Sequence, residues 1–175
     1  MRWITRSNLH LDRVATPWLI ARFVDPAAEF EFLGWDVEPT ETPGATWFGV
    51  PGVELGRHDS DGTCFHKTIK HFELEEPALD LMDMIIADGV ADALGTPCVE
   101  GRTDRDVRIG ATLNRIGLAM SVAFDDEEHL RAGMMLYEGL YTLCQIELLP
   151  VAIKDDLPDT MPERIGLLRG ALGRP

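Results

Sequence analysis

Cysteine is scarce in this 175-residue sequence: Cys64, Cys98 and Cys144 make an odd number at wide spacing. That argues against a disulfide framework and for reduced thiols in a cytosolic setting. No C-x-x-C occurs, so zinc-ribbon and thioredoxin-type arrangements fail. Long hydrophobic runs are missing too. The longest, around IGLAMSVAF, falls far short of the roughly 20 residues of a membrane-spanning helix. The opening MRWITRSNLHLDR lacks the unbroken apolar stretch of a signal peptide. A soluble, cytoplasmic chain with no membrane partner is expected. Basic charge is also in deficit, with 16 Lys and Arg against 30 Asp and Glu for a net −14. Such a surface repels phosphate backbones, so direct nucleic-acid binding is not expected. The same field opposes small anions unless a pocket gathers arginines locally. Also absent are a G-x-S-x-G elbow, a Walker A loop, H-E-x-x-H and a glycine fingerprint after a strand.

What is present suits one domain with a genuine core, since 45% of residues are apolar. RWITR reads as a first strand. Thr16 can cap a helix with Pro17 at its first position, burying Trp18, Leu19 or Ile20, and Phe23, and stopped by Asp25-Pro26. A start at Asp12 would instead place Pro17 against the carbonyl four residues back and kink the helix. AEFEFLG alternates as a strand, ATWFGV reads as another, and PGVELGRHD returns as a third short one. After residue 64 the period turns helical. Residues 65–72 form a short helix, and Pro77 opens a longer one, burying Leu79, Met82, Ile86 and Ala93 before Gly95. Thr103 caps the next, with Val107, Leu113, Ile116 and Met120 as its inner stripe. A last long helix buries Leu130, Met134, Tyr137, Tyr141, Cys144 and Leu148 before Pro150. Residues 1–150 thus make one α+β domain, a strand-rich half with a small sheet packed on a helical half. Residues 151–175 form an arm with a short amphipathic helix (Ile165, Leu168, Leu172). It packs on its own subunit or on a neighbour, which would make a homo-oligomer.

Two constellations could carry chemistry. In GRHDSDGTCFHKTIKH, His58 ends a strand and the DSDG turn delivers Cys64 and His66 to a helix start. Imidazole and thiolate suit zinc or a similar divalent transition metal, with Asp88 in the oily MIIADGV as a distal ligand. The alternatives are a buried apolar Cys64, histidines satisfying backbone groups and an exposed Asp88. His71 lies about 140° round the helix from His66 and is excluded. A calcium loop fails because its glycine falls early and Lys70 stands where a bidentate glutamate belongs. The second constellation is HLDRVATPWLIAR. Asp12, Arg13, Trp18 and Arg22 place two planar guanidinium forks near an aromatic ring, as an oxyanion pocket needs. The alternative is an internal Arg–Asp pair pinning helix to sheet. His10 could join either, whereas His129 looks solvated.

HLDRVATPWLIARFVDP resembles the opening of the C-terminal domain of the chromate-resistance family ChrB, whose pattern is D-R-x-A-x-x-W-L-I-x-R-F-x-D. His58, TCFH and LYEGLYTL also fit, and the likeness covers residues 2–145. It implies a domain in chromate-responsive regulation or resistance, with Asp12, Arg13, Trp18, Arg22 and His58 as the transferable residues. Family regulators carry an N-terminal DNA-binding part, which this chain is expected to lack. Three functions stand open: a sensor or accessory domain binding chromate or another small anion, with or without a metal; a zinc-type enzyme using His58, His66 and Asp88; and a ligand-free structural or oligomerisation module.

Overall fold

The computed structural model describes residues 1–98 and 103–175. Of the stretch LGTPCVEG, the last three residues lie outside the described ones. β1 (Arg2–Arg6) is the central strand of a three-stranded parallel sheet, flanked by β2 (Glu29–Leu33) and β3 (Ala45–Trp47). Trp3 and Ile4 are both buried, into separate clusters on the two faces. A central parallel strand covered on both sides requires this. The fold is α+β, as the sequence pattern implies.

α1 (Asp12–Leu19) follows β1 and continues as a π-helical turn over Ile20–Val24. The helix therefore starts at Asp12 and not at Thr16, with Pro17 inside it. A proline there removes an N–H from the ladder and crowds the carbonyl of Arg13, and the wider turn lies directly downstream. The early start is held from far away. Leu11 takes φ 48°, and its carbonyl accepts from Val14 N–H and Ala15 N–H, each at 3.0 Å, and from Tyr137 Oη at 2.9 Å.

PGVELGRHD forms no third strand. Only isolated bridges link Phe48 to Leu55 and Asp59 to Gly62, and the segment instead makes the loop that leads to α2 (Cys64–His71). α3 (Pro77–Leu94), α4 (Asp104–Ala123) and α5 (Asp126–Glu147) build the helical half. Gly95 ends α3 at φ 66°, and Thr103 caps α4 by accepting from Asp106 N–H. The main core joins Leu11, Val14, Trp18 and Leu19 to Phe65, Leu79, Met82, Ile86, Tyr137 and Tyr141.

Three expectations for these helices change. On α4 the inner stripe is Gly110, Leu113 and Gly117, while Ile116 is exposed. A Cβ on Gly110 would meet Ile85 O at 2.6 Å and Gly89 N at 2.7 Å, so two backbones touch where side chains were expected. Ala93 and Leu148 are exposed, being beyond the last packed turns of α3 and α5. His129 is buried, not solvated. The tail forms α6 (Val151–Asp155) and α7 (Met161–Ala171), neither with a fully buried residue. Its end returns to α5, where Arg174 donates to Thr142 Oγ1 at 2.8 Å and Gln145 Oε1 at 2.9 Å.

Candidate functional site at the carboxyl edge of the sheet

With β1 between β2 and β3, the carboxyl end of β1 has a strand end on either side. In open parallel sheets ligands sit in the crevice beyond the carboxyl ends of the strands. Here two helices, α1 after β1 and α2 after the loop from β3, begin at that edge. Both point the positive end of the helix dipole at that edge.

Asp12 is the centre of this edge. It is buried in the first turn of α1, and its Oδ2 accepts from the backbone N–H of Cys64 at 3.3 Å, the first residue of α2. Burial pushes its carboxyl above the usual carboxylate range, opposed in turn by His58, the Cys64 N–H, Arg13 and His10. One carboxylate thus has three cationic or potentially cationic neighbours, from the loop after β3, α1 and the β1–α1 loop.

Each neighbour is held in place. Arg13 donates through Nη1 to the carbonyls of Arg6 (3.0 Å) and Ser7 (3.3 Å), and through Nη2 to Asn8 (2.7 Å). Its guanidinium carbon lies 5.2 Å from the centre of the Trp35 ring, at the end of β2. Beneath the side chain is Gly49, at φ +64°, where a Cβ would come within 2.9 Å of Arg13 Cγ. The carbonyls that grip Arg13 belong to a loop fixed by α5. The Asp126 carboxylate accepts Asn8 N–H at 3.0 Å and Leu9 N–H at 2.7 Å. His58 is half-buried, and Lys67 secures its loop by donating to Arg57 O at 2.8 Å and Asp59 Oδ2 at 2.6 Å.

Arg22 and Trp18 lie elsewhere. Arg22 stands on the π-helical turn, nine residues past Arg13. Arg22 Nε is 3.5 Å from Glu138 Oε2, which also accepts from Trp18 Nε1 at 3.2 Å. The pair borders an open groove of about 500 Å³ against α5. A larger hollow of about 680 Å³ runs along the free edge of β3 past Trp47 and Glu54, and no arginine lines it. Arg13 and His58 both act on Asp12, whereas Arg22 turns to Glu138.

The four residues considered for a metal are not brought to one point. The Cys64 thiol is fully buried, donates to Leu55 O at 3.3 Å, and is pushed up to about 12 by burial and by Asp12. A cysteine that binds zinc must be a thiolate, which this environment opposes. His66 turns to Asp83, with Nδ1 2.6 Å from Oδ2. Asp88 sits where α3 meets α4, its Cβ beside Gly110. Among the described residues no group of three or more His, Cys, Asp or Glu could hold a metal ion. Sequence reasoning missed Asp126, Lys67 and Gly49, the supports of the edge. Gly49 and Lys67 give no local signal, and Asp126 acts across more than a hundred residues.

No helix among the described residues is long and apolar enough to cross a membrane. No solved structure matches the chain. Residues 3–144 match the family described as ChrB, C-terminal domain. Protein ChrB of Cupriavidus metallidurans is 35% identical over 113 residues, covering 63% of this chain and 33% of that protein. The chain thus spans about a third of the length of the curated relative it matches. With the D-R-x-A-x-x-W-L-I-x-R-F-x-D motif at the heart of its core and its site, the chain belongs to the family of ChrB C-terminal domains.

Proposed function

We propose that this chain serves chromate resistance as a sensor or accessory domain, and that it takes a small oxyanion at the carboxyl edge of the sheet. The observation that carries this is the buried Asp12 carboxylate, which already occupies an anion's position. It lies at the α2 N-terminus with Arg13, His58 and His10 around it. In a chain of net charge −14, Arg13, His58 and His10 would supply the positive charge that an oxyanion requires. The anion would lie beside Asp12, meeting His58 and the outer side of the Arg13 guanidinium. Arg13 spends its Nη donors on backbone carbonyls, so its part is chiefly electrostatic and His58 is the adjustable contact. Chromate and sulfate share shape and charge, so both should bind, and discrimination would have to arise outside this contact.

Isothermal titration with chromate and with sulfate tests the assignment. His58→Gln should lose most of the binding heat, and Arg22→Ala should retain it. Equal heats from wild type and His58→Gln would remove the site from this edge.

A further inference from the structure

α4 presents an outer face that no other described element covers. Leu118 is 60% exposed and Val122 83%, with Ala119 exposed between them. Leu118, Val122, Arg115 and Arg108 follow spacings of three, four and seven residues, so they form one stripe opposite the buried Gly110–Leu113–Gly117 face. α4 also departs from the charge of the whole. Over Asp104–Ala123 it carries Arg105, Arg108 and Arg115 against Asp104 and Asp106 in a chain of −14; Arg105 pairs with Glu147 of α5, which leaves Arg108 and Arg115 for the outer face. Immediately past its end comes an acidic turn, where Asp125, Glu127 and Glu128 are exposed.

Basic residues, exposed apolar pair and acidic turn therefore follow one another along α4 and into the start of α5. That is the layout a twofold contact requires, because each patch must complement itself. We infer that this face is where two copies of the chain pair, α4 against α4 and antiparallel about an axis near Ala119. At 1.5 Å per residue, Arg115 and Arg108 lie roughly 6 and 16 Å from that axis, and the partner's acidic turn begins at roughly 9 Å. The two arginines of one copy bracket the acids of the other. Leu118 and Val122 meet their equivalents at the centre, where the small side chain of Ala119 permits the close approach of helices. A partner of single charge would leave half of this pattern unmatched, which is why a second copy fits best.

Sedimentation velocity on the full chain, from micromolar to submillimolar concentration, reads the assembly. Wild type should move from monomer to dimer, and Leu118→Glu should weaken that transition at least about tenfold. At concentrations where both are monomers its thermal melt should match wild type, because Leu118 already faces solvent. Arg108→Glu/Arg115→Glu and Glu127→Lys/Glu128→Lys should each be monomeric alone and dimeric when mixed. Wild type remaining a monomer throughout, or Leu118→Glu dimerising as wild type does, would overturn the interface. A wild-type dimer with no rescue on mixing would overturn its antiparallel geometry.

Discussion

Asp12 Oδ2 lies 3.3 Å from the N–H of Cys64, and no other residue ties as many parts of the candidate site together. Its carboxyl is raised by burial, so the ionised form is disfavoured in the fold relative to the unfolded chain. For a group raised in this way, its contribution to stability is full below the unfolded value, near 3.9, and is lost as pH rises through the folded value. Asp12→Asn keeps an acceptor for Cys64 N–H and removes the charge. The variant should be at least as stable as wild type at neutral pH, and its stability should fall less as pH rises above 4 (roughly the unfolded value). Urea denaturation across pH checks this. The same change removes the negative neighbour of a bound oxyanion, so sulfate affinity should rise by about tenfold. Stability that falls sharply at neutral pH would mean that the charge of Asp12, and not its acceptor oxygen, holds α1 to α2.

At the level of elements, the α3–α4 contact depends on backbones that touch. Gly110→Ala would put a methyl group against Ile85 O, Gly89 N and Asp88 Cβ, all within 2.9 Å. None is the end of a flexible side chain, so the helices must part, at a cost of about 3 kcal/mol. Gly139→Ala on α5 meets nothing within 4 Å and should stabilise slightly. Urea midpoints of the two variants should move in opposite directions; a neutral Gly110→Ala would show that α4 is not seated on α3 in this way. This contact also marks what sequence can and cannot tell. The starts of α3 and α4 were legible because Pro77 and Thr103 act within their own turn. The α4 stripe was not, since a pattern of apolar residues passes over glycines that pack by having no side chain. The start of α1 was illegible for a different reason. Pro17 argues locally for a later start, and Tyr137 and Asp126, from beyond residue 120, secure the earlier one. Half of the site suffered likewise: Arg13 and His58 were readable as candidates, but their meeting depends on strand order.

For the molecule as a whole, charge is the organising quantity. A surface of −14 repels anions at long range, and the two proposals each rest on basic groups set against it: Arg13 and His58 at the sheet edge, and Arg108 and Arg115 on α4. The first would select a small anion and the second another copy of the same chain. Family membership supplies the chromate context, and the site is what would connect this domain to it. The most direct measurement is a chromium anomalous difference map from crystals of the chain soaked in chromate. A single strong peak beside His58 and Arg13, at the head of α2, is the result this account predicts. A peak confined to the Arg22–Glu138 groove, or none at the sheet edge at full soaking, would contradict it.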